Sequence, residues 1–269
     1  MTLATGTISE MSDKYQHIKF DLDDRVARIT FARPPVNIFN IAMMREINDA
    51  LTHCAKEREL VAIVFDAAAD CRAFSAGVAI EEHVEETIFQ MLDSFHAIFR
   101  NIEQIARPTI AVVDGAALGG GCELVIACDI AIASERARFG QPEIKLGVFP
   151  PVAALLLPQV IGDKRARELI LMGELIEATE AARLGLVNYV VPGNELQQKT
   201  SELLGNLRNL SASTLEHAKR AIDMGRGRSL DTALQEVENM YLRELMKTHD
   251  AKEGISAFIE KRKPEWNDR

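Results

Sequence analysis

The spacing of apolar residues changes period several times along the chain. Residues 17–22 and 25–31 alternate apolar and polar positions on either side of Asp23-Asp24, which predicts a hairpin. Ile41, Met44, Ile47, Leu51 and Cys54 carry helical spacing over residues 41–56. The run LVAIVFD at 60–66 suits a short buried strand, and 108–114 repeats that pattern before Gly115. Between those runs, residues 88–105 are periodic as a helix. After Gly121, residues 122–128 suit a helical turn or two, and 129–134 suit another strand. Strands alternating with helices in this way predict an α/β architecture.

From about Asn194 the pattern changes. Residues 195–209, 212–224, 229–247 and 250–262 all read as helices, and Leu230, Leu234, Val237, Tyr241 and Leu245 form one apolar stripe. The predicted organisation is a disordered N-terminal tail over 1–16, an α/β core over 17–194 and a helical module over 195–269. A module of this kind packs on its own core or on a partner subunit.

Composition narrows the function classes. The chain has 269 residues, 47% hydrophobic and 26% charged, which is ordinary for a globular protein. A net charge of −9 disfavours nucleic-acid and anionic-membrane partners, which select a basic face. The longest apolar stretch, 148–160, is broken by Pro150, Pro151 and Pro158, so no membrane span is expected. The first residues lack the basic and apolar regions of a signal peptide. Four cysteines show no CxxC or metal-ligand spacing, and six histidines form no HxxH or HExxH. A reduced, cytoplasmic protein is the expectation.

The candidate chemistry begins at Gly119-Gly120-Gly121, between a strand and a helix. A tight turn needing positive φ explains such a run, and so does an anion or oxyanion site at a helix N-terminus. Leu124 spoils a dinucleotide fingerprint, and no Gly-Lys-Ser/Thr comes after it to make a P-loop. Glu123 then stands among Cys122, Leu124, Val125 and Ile126. At a helix start it could simply complement the dipole, but in apolar company burial would raise its pKa towards the range useful for proton transfer. Glu143, after Gln141-Pro142 and beside Ile144, either opens a helix with Pro142 or supplies a second carboxylate to the same pocket. Two such carboxyls can divide acid and base duties. In Ala73-Phe74-Ser75-Ala76-Gly77, Ser75 resembles a degenerate nucleophile elbow, but the required glycine is Ala73 and no His/Asp pair accompanies it. Gly77 more economically turns the chain so that the Val78 N–H faces a ligand.

These stretches together resemble the crotonase (enoyl-CoA hydratase/isomerase) superfamily. The likeness is carried by 73–77, by 107–123 through Gly119-Gly120-Gly121-Cys122-Glu123, by Phe139-Gly140-Gln141-Pro142-Glu143 and by 254–262, and it extends from about residue 17 onward. The resemblance implies a spiral ββα core, a C-terminal helical trimerisation module, and self-association as a trimer or a dimer of trimers. It places an oxyanion hole on the backbone N–H groups of Val78 and Gly120, and catalytic roles on Glu123 and Glu143. Coenzyme A or substrate contacts would fall on Val36, Val78, Ala79, Ile80, Phe258 and Lys261. No cofactor or metal is implied, since coenzyme A is part of an acyl-CoA thioester substrate. Isomerases of the family commonly keep only the second glutamate, so the pair favours hydration.

Two departures bear on the substrate. The family usually has Asp where Ala79 stands, and a Pro-Gly-x-Gly-Gly stretch where this chain reads Phe149-Pro150-Pro151-Val152-Ala153-Ala154. With Glu81-Glu82-His83 and the C-terminal Tyr241, His249-Asp250 and Trp266, they resemble the branch that hydrates cyclic dienoyl-CoA thioesters in anaerobic aromatic degradation. The alternatives are a short-chain enoyl-CoA hydratase or isomerase of fatty-acid oxidation and, from another class, a catalytically silent acyl-CoA-binding scaffold.

Overall fold

The computed structural model describes residues 14–268. Residues 1–13, most of the predicted tail, lie outside the described residues. Residues 15 and 16, which the predicted tail includes, are hydrogen-bonded to α1, as is His17. The Tyr15 hydroxyl donates to Asp49 at 2.8 Å, and the Gln16 and His17 amides donate to Glu46 at 3.0 and 2.8 Å.

The predicted hairpin is β1 (Ile18–Asp23) paired antiparallel with β2 (Val26–Phe31). Its turn residues Asp24 and Arg25 both take positive φ, 42° and 65°, the twist that suits a tight hairpin. Helix α1 (Ile41–Cys54) starts where the Asn40 side chain caps the Met43 N–H at 2.9 Å. Then come β3 (Ala62–Ala67), β4 (Ala73–Ser75), α2 (Ile88–Ile105), β5 (Thr109–Val113), β6 (Ala116–Leu118), α3 (Gly120–Ala127), β7 (Ile130–Ser134) and β8 (Arg138–Gly140). The rest comprises α4 (Pro151–Ile161), α5 (Asp163–Met172), β9 (Leu175–Glu177), α6 (Ala178–Leu184), β10 (Tyr189–Val191) and helices α7 (Leu196–Arg208), α8 (Ala212–Met224), α9 (Leu230–Arg243) and α10 (His249–Glu260).

The strands form two sheets. The larger has the order β1-β2-β3-β5-β7-β10, parallel from β2 onward, and the smaller has the order β4-β6-β8-β9. Each successive strand pair, β3/β4, β5/β6 and β7/β8, gives one strand to each sheet before a helix carries the chain back. This is a spiral of ββα turns. Alternation along the larger sheet sorts side chains between its faces. Ile63, Phe65, Ala111, Val113, Ala131 and Ala133 face the core beneath α1 to α6, while Ala62, Val64, Ile110, Val112 and Ile132 face Leu196, Leu204 and Ala212 of α7 and α8.

The helical segment is therefore joined to the sheet. Lys219 of α8 is buried and donates to the Arg107 carbonyl at 3.0 Å and to Asp129 at 2.7 Å. Asp129 also accepts from the Thr109 N–H and hydroxyl at 2.7 and 2.8 Å. The predicted helix over 229–247 ends earlier, at Arg243, and a 3-10 turn, Leu245–Lys247, comes after it. Beyond that turn, Thr248 caps α10. Leu230, Leu234, Tyr241 and Leu242 of α9 and Phe258 and Ile259 of α10 remain exposed.

Candidate active site

The three short strands β4, β6 and β8 bring the predicted residues together. β6 pairs in parallel with β4 on one side and β8 on the other, so the strand ends at Ser75, Leu118 and Gly140 lie side by side. The segments leaving those three ends therefore meet: Gly77-Val78, the glycine run, and Gln141-Pro142-Glu143. The Gly119 N–H continues the ladder by donating to the Gly140 carbonyl at 2.9 Å.

The glycine run reaches further into the helix than its sequence suggests. Gly119 precedes α3 with φ 51° and ψ −125°, a conformation for which only glycine is suited, and Gly120 and Gly121 already belong to the helix. A Cβ on Gly119 would overlap the Glu143 carboxylate. A Cβ on Gly120 would come within 2.7 Å of Val78 Cγ2 and 2.9 Å of Phe95 Cζ. The run therefore permits a close approach of three segments as well as a turn.

Two backbone N–H groups face this junction. Phe39 N–H donates to the Gly77 carbonyl at 2.8 Å and Ala79 N–H to the Phe39 carbonyl at 2.9 Å. That parallel bridge directs the intervening Val78 N–H to the opposite side. Gly120 is the first residue of its helix, so its N–H has no intrahelical acceptor. Among the described residues neither group has a hydrogen-bond partner. The position of a Cβ on Gly77 would lie 3.7 Å from Gly120 N, which shows how near the two segments run.

Glu123 is buried at 2% exposure, on an α3 that is apolar all round. Its Oε1 accepts from the N–H groups of Val152 and Ala153, both at 2.8 Å. Those amides open α4, with Pro151 in its first position, so the first turn of one helix clasps a carboxylate carried by another. Burial pushes the Glu123 carboxyl up to about 7, the Ala153 N–H opposes that shift, and the neighbouring Glu143 reinforces it. Glu143 lies in a 3-10 turn, Pro142–Leu146, that begins at the proline and ends at Gly147 with φ 80°. Its Oε2 is buried without a partner among the described residues, and burial raises its pKa also. Glu143 thus both begins a helical turn and supplies a second carboxyl.

The other predicted contact residues divide. Val36 accepts the Ala76 N–H at 2.9 Å and so borders the Gly77 turn. Ala79 is buried there, and Ile80, at 60% exposure, opens a short 3-10 turn at the rim. Phe258 and Lys261 are not brought to this cluster by any hydrogen bond or core contact among the described residues. Both lie at the exposed end of α10, with Phe258 86% exposed. Ser75 is wholly buried and hydrogen-bonded, unlike an exposed elbow nucleophile. The Val152–Ala153 clasp is a feature that the sequence patterns above do not predict. Pro150-Pro151 before an apolar run is the helix-start signal that marks it.

A family model described as enoyl-CoA hydratase/isomerase matches residues 21–269. The chain belongs to the enoyl-CoA hydratase/isomerase family. It is 38% identical over 258 residues to a probable enoyl-CoA hydratase of Mycobacterium tuberculosis, covering 95% of this chain and 99% of that protein. It is 36% identical over 247 residues to the cyclohexa-1,5-dienecarbonyl-CoA hydratase of Thauera aromatica, covering 92% and 95%. The crystal structure of an enoyl-CoA hydratase from Bacillus anthracis superposes with a TM-score of 0.88 at 33% identity, covering 94% of this chain and all 100% of that one. The chain is accordingly an enzyme, a hydro-lyase of the enoyl-CoA hydratase type. No helix among its described residues is long and apolar enough to cross a membrane.

Proposed function

We propose that this enzyme adds water across the double bond of an α,β-unsaturated acyl-CoA thioester, using Glu123 and Glu143 with the amides of Val78 and Gly120. The observation that carries this reading is the pair of carboxyls at the glycine run, Glu123 buried on α3 and Glu143 against Gly119 with its Oε2 buried, beside two N–H donors unpaired among the described residues. The Glu123 carboxylate takes a proton from water, whose oxygen bonds to the β-carbon. The displaced electron pair moves onto the thioester oxygen as an enolate. The Val78 and Gly120 amides donate to that oxygen, each worth about 3 kcal/mol by comparison with other oxyanion holes. Glu143, whose pKa burial raises, helps hold the water and delivers a proton to the α-carbon. Glu123 can remain a base in the same dry pocket because the clasp favours its ionised form.

For the acyl group we favour a cyclic diene, such as cyclohexa-1,5-diene-1-carbonyl-CoA. Ala79 removes the family's usual carboxylate from beside the pocket, and Pro151-Val152-Ala153 replaces a glycine stretch with bulkier residues. A linear short-chain enoyl-CoA is the second reading, favoured by likeness to the short-chain-enoyl-CoA hydratase of Clostridium acetobutylicum, 35% identical over 256 residues. We place coenzyme A against Val36, Val78, Ala79 and Ile80, with Phe258 and Lys261 covering it once subunits associate. The exposed apolar residues of α9 and α10 support residues 195–269 as a trimerisation module, and a cytoplasmic location suits the four free cysteines.

The test is a panel of cyclic and linear enoyl-CoA thioesters with product mass as the readout. Gain of water on the cyclic diene with poor turnover of crotonyl-CoA supports the cyclic assignment, and the reverse preference selects the linear one. No gain of water on any member overturns the assigned reaction. A light-scattering mass equal to one subunit removes the trimer.

A further inference from the structure

Ser75 touches both arms of the amide pair. It ends β4, is wholly buried, and its hydroxyl donates to the Asn37 carbonyl at 2.7 Å while accepting the Gly77 N–H at 3.2 Å. Its backbone carbonyl and Cβ also press on the glycine run. A Cβ on Gly121 would lie 2.6 Å from Ser75 O and 2.7 Å from Ser75 Cβ. One arm therefore runs from Ser75 to Gly77, the residue before Val78, and the other from Ser75 to Gly121, the residue after Gly120.

Asn37 anchors this serine. It is itself wholly buried with φ 51°, and its side chain spans two segments. Its Oδ1 accepts the Arg33 N–H at 2.8 Å and the Cys71 thiol at 3.2 Å, and its Nδ2 donates to the Ala73 carbonyl at 3.0 Å. The Asn37 carbonyl that receives Ser75 is therefore fixed to β4 at one end and to the 33–37 loop at the other.

The geometry of one peptide plane gives this relay its consequence. The Gly77 carbonyl and the Val78 N–H belong to the same planar unit. Its carbonyl is fixed by Phe39 N–H, but glycine at φ 105° has little intrinsic preference to keep the plane in place. The Ser75 hydroxyl fixes the other side of Gly77 by occupying its N–H. Ser75→Ala would leave that N–H and one acceptor site on Asn37 unpaired in a dry interior.

We propose that Ser75, anchored by Asn37, is a positioning residue that sets the direction and spacing of the Val78 and Gly120 N–H donors. The proposal rests on the reading of those amides as donors to the thioester oxygen. Ser75 does not touch substrate, so its contribution lies in kcat more than in thioester affinity.

The test measures turnover and carbonyl polarisation separately. The probe is a cinnamoyl-type CoA thioester, whose absorbance moves to longer wavelength when its carbonyl accepts strong hydrogen bonds. Ser75→Ala is expected to lower kcat by about ten- to a hundredfold, less than or similar to deleting a donor. Its Kd for the probe should change less than about threefold, and the wavelength shift of the bound probe should shrink. Glu123→Gln, which leaves the donors in place, should keep the full shift. If Ser75→Ala fails to fold by circular dichroism, Ser75→Cys is measured instead, and a weakened shift with lowered kcat is again the expected result. An undiminished shift in the folded variant, whatever its turnover, overturns the positioning role. Absence of any shift in the unsubstituted enzyme overturns the donor assignment itself, and the two failures are thereby distinguished.

Discussion

The Glu143 carboxylate lies against Gly119 and the Glu123 N–H donates to the Gly119 carbonyl, yet the two regions that carry these glutamates are built in opposite ways. Glu123 projects from an eight-residue helix, and the first turn of a second helix holds its Oε1 through two N–H donors. Glu143 projects from a 3-10 turn, and its Oε2 has no partner among the described residues. Both are pushed towards the neutral form by burial; two amides of α4 oppose that shift at Glu123, and only its own backbone N–H opposes it at Glu143. The same residue type thus meets two surroundings: α4 gives Glu123 a pair of amides, whereas Glu143 Oε2 is given none among the described residues.

Removing each carboxylate separately should break the comparison most severely. Glu123→Gln and Glu143→Gln are each expected to lower hydration by about 10³-fold, within the range of general acid–base catalysis. Exchange of the α-proton of a saturated acyl-CoA in deuterated water separates them. Glu143→Gln should abolish the exchange and Glu123→Gln should largely preserve it, as read by mass or proton resonance. Equal loss in both would dissolve the assigned division.

Gly119→Ala is expected to come next. Its added methyl overlaps the Glu143 carboxylate, and its backbone conformation strains any other residue by about 1–3 kcal/mol. Turnover should fall steeply and the melting temperature should drop. Adding Glu143→Ala should recover part of the stability but none of the activity, a non-additivity that a double-mutant cycle reads.

The pH dependence sharpens the contrast further. With the Glu123 carboxyl at about 7, kcat/KM should fall as pH drops through neutrality and the base takes up its proton. The same shift acts on stability with a definite sign. The folded chain binds this proton more tightly than the unfolded chain, so stability should decline as pH rises from 4.5 towards 7. The contribution is on the order of 3 kcal/mol. Denaturant titrations of Glu123→Gln should show this slope removed.

The smallest effect should come from the surface of the Glu143 turn. Lys145 and Glu174 form an exposed ion pair at 3.3 Å. Lys145→Ala should change stability by no more than about 0.5 kcal/mol, because solvent screens such pairs. A larger loss in thermal denaturation would mean that the turn depends on that pair more than on Pro142 and Gly147.

Much of this arrangement was legible where the residues that make it are consecutive. The hairpin came from alternation around Asp23-Asp24, and the strands 62–67, 109–113 and 130–134 from β-branched runs long enough to show. Glu123 announced itself by carrying charge into an apolar helix. The smaller sheet was hidden for the opposite reason: Ala73–Ser75, Ala116–Leu118, Arg138–Gly140 and Leu175–Glu177 have three residues each, too few to display a period of two. The clasp was hidden because its donors are backbone groups, which every non-proline residue has, and only the fold determines where they point. Asn37 carries no signal in the sequence, and Ser75 resembles there a degenerate nucleophile elbow, whereas both are wholly buried in the fold.

The Lys219 anchor carries a consequence for synthesis on the ribosome. Its two acceptors, the Arg107 carbonyl and Asp129, are translated 112 and 90 residues earlier. A nascent chain that has emerged only through α7 already contains both glutamates and every glycine between them. Asp129 and Arg107, flanking the β5 and β7 strands that feed the site, still await their ammonium group. The backing of the sheet beneath the site is thus tied to a helix translated after every one of its strands, and a stalled product would carry both glutamates without that support.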